Sequence, residues 1–242
     1  MTKYSVINIM LITERKLYMK QLTIRNHKLA ELNQLMEKYR VIKKQPIAKH
    51  PTTFLSIETA NYSLSNGKII EREEMLKRGG KGNAVVIYPD TTEGNVVLVV
   101  QSRVFEEDAA CVELPAGLVD DKEKFDDPEL MTVLNKETWD TEEDRNYAYA
   151  ALRELVEETG MIPESLTYLD QYYSDQGSHG YQTRNYYAAG CKQKRNLMLD
   201  NSEYLDVYQC QAAELDYLMK NQYIKDVNSK YTIALVKTRK RR

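Results

Sequence analysis

The sequence predicts an α+β domain built on a mixed β-sheet. Three observations carry this: strand patterns outnumber helical ones, the two clearest helices lie far apart in the chain, and the longest apolar runs, such as Val96–Val100, are strand-sized. A chain of 242 residues is long enough to bury a core as one large domain, or as one domain with a smaller added element.

The elements follow in order. Residues 1–50 form a basic N-terminal extension. Within it Leu29, Leu32, Leu35, Met36 and Tyr39 recur at helical spacing from His27 to about Tyr39, with Asn26 as a cap. Pro46 and Pro51 punctuate a linker, and residues 51–78 hold two alternating stretches around Ser65-Asn66-Gly67, a hairpin signal and an N-terminal antiparallel strand element. The main domain spans 79–236. After Gly79-Gly80-Lys81-Gly82, "NAVVIYP" and "NVVLVVQSRVF" read as strands joined near Glu93-Gly94-Asn95, and "ACVELPAG" as a third. Residues 121–142 are polar and acidic, with Asp127-Pro128 opening a short helix. A longer helix starts at Thr141, where Asp144 three positions on imitates a capping box, and ends at Gly160. "LTYLDQYY", "TRNYYAAG" and "YLDVYQC" are strands, Ala213 to Asn221 is a helix, and 237–242 is a basic tail.

Charge is distributed unevenly. The first 50 residues carry 11 Lys/Arg against 3 Asp/Glu, the tail five cations and no acid, and the stretch between them 18 basic against 33 acidic residues. An acidic middle suits divalent cations better than a nucleic-acid backbone, and the basic ends read as solvated arms rather than a nucleic-acid site. No apolar run reaches membrane length, and the start of the chain lacks a secretory cleavage pattern. Cys111, Cys191 and Cys210 form no CxxC pair, so a reducing, cytoplasmic setting is the default.

The chemistry concentrates in "ALRELVEETGM", residues 151–161. At 100° per residue, Glu154, Glu157 and Glu158 fall within an arc of roughly 100°. Arg153 sits four residues before Glu157 and can pair with it, leaving Glu154 and Glu158 to converge on Mg²⁺ or Mn²⁺. Spacing alone equally allows a solvated helix with one salt bridge.

The flanking motifs decide between these. "RELVEETGM" resembles the second half of the Nudix signature, R-E-(apolar)-x-E-E-x-G-(apolar). Glu113-Leu-Pro-Ala-Gly117 with Leu118-Val119-Asp120 resembles the entry to that element in the ADP-ribose pyrophosphatase branch, and Gln101-Ser-Arg103 that branch's QxR segment. The resemblance runs from about residue 55 to 236. It implies a Nudix fold, with the mixed sheet sandwiched by helices, and metal-dependent hydrolysis of ADP-ribose or an ADP-sugar to AMP and ribose 5-phosphate. It further implies Glu154, Glu158 and the Ala116 carbonyl as metal ligands, Glu157 and Arg153 as catalytic partners, and Arg103, Glu113 and Gly117 as substrate contacts. A homodimer that exchanges its N-terminal strands is implied as well.

The chain departs from the family pattern in three places. Gly117 and Arg153 are 36 apart rather than fourteen, so 121–142 reads as an insertion in the Nudix loop. The glutamate usual eight positions before the arginine is replaced by Arg145. The loop "SHGYQTRN" offers His179, Gln182 and Arg184 but no acid, which leaves Asp200 or Glu203 as substitutes. His179 could act as a base, but a lone loop histidine is more often a surface residue, and the tyrosines of this region, Tyr172, Tyr173, Tyr181, Tyr186 and Tyr187, are either base-stacking or packing groups. The competing expectations are a pyrophosphatase for another nucleoside diphosphate derivative, nucleotide sugar or dinucleotide, and a non-catalytic ADP-ribose sensor.

Overall fold

The structure, a computed structural model, describes residues 26–39, 54–63, 69–77, 82–104, 110–120, 123–199 and 203–240. The expected turn at Ser65-Asn66-Gly67, the prolines of the linker and Asp200 lie outside the described residues.

Three groups of strands build the sheet framework. Strands β1 (Leu55–Ser63) and β2 (Ile69–Lys77) pair antiparallel, Leu55 opposite Lys77 and Ser63 opposite Ile69, as a separate ribbon. The main sheet of eight strands has the spine β10 (Leu205–Gln211), β4 (Asn95–Ser102), β3 (Ala84–Thr91), β9 (Thr183–Gln193) and β7 (Met161–Ile162). β3 and β9 run parallel at its centre, while β5 (Ala110–Glu113), β6 (Ala116–Leu118) and β8 (Ser165–Tyr172) pair antiparallel with β4, β3 and β9. The sheet is therefore mixed, as the sequence predicts.

The apolar runs are continuous because both faces of the sheet are covered. On β3, Val85 and Ile87 join the core beneath α3 (Glu142–Thr159), whereas Val86 and Tyr88 join the opposite core. That second core is closed by α1 (Asn26–Tyr39), α4 (Leu215–Lys220) and α5 (Val227–Arg239) through Leu32, Leu215, Leu218, Ile233 and Val236. All three cysteines are buried, and none of them forms a disulfide.

Two expectations for the chain ends change. The N-terminal helix is docked rather than a solvated arm: Leu32 is fully buried, Tyr208 donates to the Lys28 carbonyl at 3.1 Å, and Lys38 pairs with Asp206 at 2.6 Å. Asn26 is itself helical rather than a cap preceding the helix. α5 runs into the basic tail. Lys237 pairs with Asp216, Arg239 donates to the Leu169 carbonyl, and Lys240 pairs with Asp90 at 2.7 Å, so those cations are held by the fold.

What positions the site is a parting of strands. β3 and β4 share a pairing at Asp90–Val96, then diverge, and the segment from β5 through Pro115 to β6 fills the gap. Ile87 donates to the Pro115 carbonyl at 2.9 Å, which seats the segment Glu113–Gly117 at the sheet's opening. α2 (Pro128–Leu134) is the short helix of the insertion, with Asp127 accepting from the Glu129 and Leu130 amides. α3 begins with Thr141 accepting from the Asp144 amide at 3.0 Å and ends at Gly160 with φ 67°. A side chain at Gly160 would meet the Arg195 carbonyl at 2.1 Å, so both conformation and space demand glycine.

Candidate active site

The last turns of α3 face the segment Glu113–Gly117 across the opening. Glu154 and Glu158 are buried, 7% and 4% exposed, although each is a carboxylate on an apolar-flanked helix. The Ala116 amide donates to Glu158 at 3.0 Å. Gly117 lies so close to Glu154 that an added Cβ would stand 1.9 Å from its carboxyl carbon. Only glycine permits this approach. The Gly117→Ala protein is therefore expected to fold with the Glu154 carboxylate displaced and to lose about a hundredfold in activity on any substrate turned over by the wild type. A rate unchanged within a factor of two would show that Glu154 need not be where it is.

Arg153 organises the cluster by using all five of its N–H donors. One terminal nitrogen donates to Glu154 at 2.8 Å and Glu157 at 2.9 Å, the other to the Leu118 carbonyl and to Glu123, both at 2.9 Å, and Nε to Glu123 at 3.0 Å. Sequence reasoning foresaw the bond to Glu157 only. It left Glu154 free, but Arg153 holds that residue too, and it missed Glu123 altogether. Glu123 is buried and supplies the carboxylate expected eight positions before the arginine, so Arg145 is not its replacement; Arg145 instead lies over the Phe125 ring. The signal was present: counted forward from Gly117 rather than back from Arg153, the sixth residue is Glu123. The intervening chain lengthens after this glutamate, not before it.

The electrostatics follow from burial. Loss of water pushes the Glu154 carboxyl up to about 7, Arg153 opposing and Glu157 adding to the shift. Glu158 is raised still more decisively by burial, then by the charge of Glu154, with the Ala116 amide opposing. Both also feel the charge of Glu203, one of the two expected substitutes. Across the opening, Arg103 holds the buried Glu113 through Nε at 2.9 and 3.1 Å, and Gln101 donates to Glu113 at 3.2 Å. Glu113 is thus not a solvated strand end. Asp226, the cap of α5, is raised to about 6 by burial and by Glu113.

His179 does not join this cluster. It is buried against Tyr181, ring centroids 3.4 Å apart, in a loop that contacts β2 through Gly180 and Glu74, and its electrostatic neighbours are Lys77, Asp175 and Glu74. Of the tyrosines, Tyr186 is core and Tyr187 donates to Asp90, so packing accounts for both. Arg184 is buried and held by Asp144 at 2.6 Å.

Among the described residues no three His, Cys, Asp or Glu side chains converge closely enough to hold a metal ion by themselves. Glu154 and Glu158 nevertheless fit a hard divalent cation. They are two buried oxygen donors that destabilise one another as anions, and such an ion completes its shell with water and phosphate oxygens.

No protein-family model matches the chain. Among curated proteins, it is 28% identical to the ADP-ribose pyrophosphatase of Bacillus subtilis (strain 168) over 197 residues, 80% of this chain and 90% of that protein. It is 29% identical to the methanol dehydrogenase activator of Bacillus methanolicus over 182 residues, 75% of this chain and 83% of that protein. Among solved structures, one titled as an ADP compounds hydrolase superposes with a TM-score of 0.57 at 19% identity, covering 83% of this chain and 93% of that one. The chain therefore shares the fold of that hydrolase. The residues that resemble the Nudix signature come together on the segment Glu113–Gly117 and on α3, with α2 and Trp139 in the stretch between them.

Proposed function

We propose that this protein is a Nudix hydrolase that cleaves the pyrophosphate bond of ADP-ribose or an ADP-sugar, with AMP and, from ADP-ribose, ribose 5-phosphate as products. The observation that carries the proposal is the pair of buried carboxyl groups, Glu154 held by Arg153 against Gly117 and Glu158 held by the Ala116 amide. The relative named ADP-ribose pyrophosphatase supports the substrate.

A diphosphate resists hydrolysis because its negative oxygens repel the nucleophile. What Mg²⁺ or Mn²⁺ supplies when bound is neutralisation of that charge and a more acidic water. Glu154 and Glu158 would hold the ion, together with the Ala116 carbonyl. Arg153 fixes Glu154 and Glu157 so that neither swings away from the cluster. Arg103, with its side chain 47% exposed, is the cation positioned for a phosphate or the distal ribose, and Glu113 orients it. Glu203 is the carboxylate that would accept a proton from the attacking water. Oxygen from water joins one phosphorus, the bridging oxygen leaves with the other, and two monophosphates result.

The direct test offers purified protein and Mg²⁺ a panel of nucleoside diphosphate compounds, with AMP release fastest from ADP-ribose. Preference for a nucleotide sugar or dinucleotide would move the substrate class, and inertness toward all of them would remove the enzyme reading. A linkage measurement tests the ion separately. Glu154 is raised from 4.5 to about 7, so the stability it contributes is present below its unfolded value and lost as pH rises through about 7. Mg²⁺ is therefore expected to raise Tm more near pH 8 than near pH 5. Equal shifts at the two pH values would count against these ligands.

The ribbon of β1 and β2 supports a homodimer. Two strands are too few to stand alone, and Ile57 (73%), Ile69 (63%) and Tyr62 (40%) are exposed on it. A second copy of the chain covers this surface in the proposal. Ile57→Glu is expected to halve the mass measured by light scattering. A wild-type protein that runs as a monomer at all concentrations removes the dimer. Among the described residues no helix is long and apolar enough to cross a membrane, and the three buried thiols suit a cytoplasmic setting.

One observation favours a second function. A relative of similar identity is named an activator rather than a hydrolase. The same site would then bind a nucleoside diphosphate compound and act on a partner enzyme, which the substrate panel separates from turnover.

A further inference from the structure

The enlarged Nudix loop builds a second cavity at the other end of α3. It has a volume of about 300 Å³ and is walled by Trp139, Tyr168 and Tyr186, with Glu137, Asp140 and Asp144 among its remaining lining residues. Asp144 lies in the first turn of α3 and Glu154 ten residues on, roughly 15 Å along the helix axis. The cavity therefore does not share the Nudix carboxylates.

Its three rings form a floor and two walls. Tyr186, fully buried on β9, is the floor. Trp139 stands edge-on to it, centroids 6.3 Å apart at 63°, and Tyr168 does so from the neighbouring strand at 5.9 Å and 67°. Trp139 is held in place because its indole N–H donates to the Leu134 carbonyl at 3.0 Å. Its donor is thereby satisfied, and what it offers a ligand is its ring.

Charge selects the ligand. Three carboxylates line the cavity against one guanidinium, Arg184. That guanidinium is already matched: it pairs with Asp144 at 2.6 Å and Glu143 at 3.6 Å, donates to Gln182 at 3.1 Å, and lies 3.8 Å over the Tyr147 ring. Arg239 approaches the back of β8, where it donates to the Tyr168 and Leu169 carbonyls. Glu137 and Asp140 are exposed and leave the mouth negative. Aromatic faces and carboxylates both attract cations, and they repel a phosphate or carboxylate ligand. A metal ion would not need the rings, whereas a weakly hydrated alkylated ammonium matches rings and carboxylates together.

We propose that this cavity binds a small organic ammonium ion, with Tyr186 as its floor, Trp139 and Tyr168 as its walls, and Glu137 and Asp140 as the charge at its mouth. The site is independent of the hydrolytic one and owes its existence to the segment that lengthens the Nudix loop.

Trp139 is the chain's only tryptophan, so it reports binding directly. Titration of the full-length protein with tetramethylammonium chloride, at ionic strength fixed with sodium chloride, is expected to change its fluorescence saturably. The neutral isostere tert-butanol is expected to leave it unchanged. Tyr168 is 40% exposed, and Tyr168→Ala is expected to weaken binding about fivefold while Tyr168→Phe keeps it. Asp140→Asn should weaken it similarly and flatten its salt dependence. The proposal is overturned if the fluorescence does not saturate and equilibrium dialysis retains no tetramethylammonium. It is equally overturned if tert-butanol binds as well, or if Tyr168→Ala binds like the wild type.

Discussion

Glu158→Gln protein is expected to fold normally and to lose about a thousandfold in hydrolytic rate, roughly 4 kcal/mol of transition-state stabilisation. The substitution is nearly isosteric, and the glutamine carbonyl can still accept from the Ala116 amide as Glu158 does at 3.0 Å. What it removes is an anion that burial disfavours. The effect on stability therefore runs opposite to the effect on rate. Because the folded-state value of Glu158 lies above its ordinary one, the wild type without a divalent ion loses stability as pH rises through that value. The glutamine protein does not. Thermal unfolding in chelator near pH 8 should show the variant at least as stable as the wild type, the two converging near pH 4. A variant that keeps its rate removes Glu158 from the proposed site; one that loses both rate and fold leaves the rate uninterpretable, and Glu154→Gln then supplies the comparison.

Glu123→Ala carries the largest expected cost to the fold. The Glu123 side chain is 2% exposed and takes two bonds from Arg153, which is itself 23% exposed. Removing one member of a buried pair typically costs about 3–5 kcal/mol. The lower end applies here, because Arg153 retains Glu154, Glu157 and the Leu118 carbonyl. The Asp120 amide, which donates to Glu123 at 3.1 Å, is also orphaned. Denaturant unfolding should register about 3 kcal/mol. In an Arg153→Met background the same change should cost much less, since the pair is already broken. A loss below about 0.5 kcal/mol in the wild-type background would mean that the clamp contributes nothing measurable. Activity should fall with it, as a guanidinium freed on one side no longer fixes Glu154 and Glu157.

Local rules made much of the molecule legible. The Thr141 cap, the Asp127-Pro128 start and the Gly160 stop are written in residues within one turn of the boundary they set, and each is found there. The alternation of β3 and β4 was hidden in plain apolar runs, because a strand buried on both faces has no polar side to reveal its period. α5 was not foreseen: its buried residues are only Ser229, Thr232, Ile233 and Val236, two of them polar, so it carries little helical hydrophobic pattern.

By itself the sequence determined the mixed α+β fold, the helix with its four charged residues, and the strand-end segment Glu113–Gly117 that faces them. These rest on period, spacing and capping, which act between residues close in the chain. Tertiary structure decided which charges meet. Glu123 reaches Arg153 from 30 residues away, the charge of Glu203 comes near enough to be felt by Glu154 and Glu158, and Arg103 closes on Glu113, whereas His179 is carried off to the ribbon of β1 and β2. No local rule encodes those encounters. An ion pair depends on where folding brings its two ends, and burial, which sets the proton affinity of Glu154 and Glu158, exists only once the sheet has opened and α3 has closed over it.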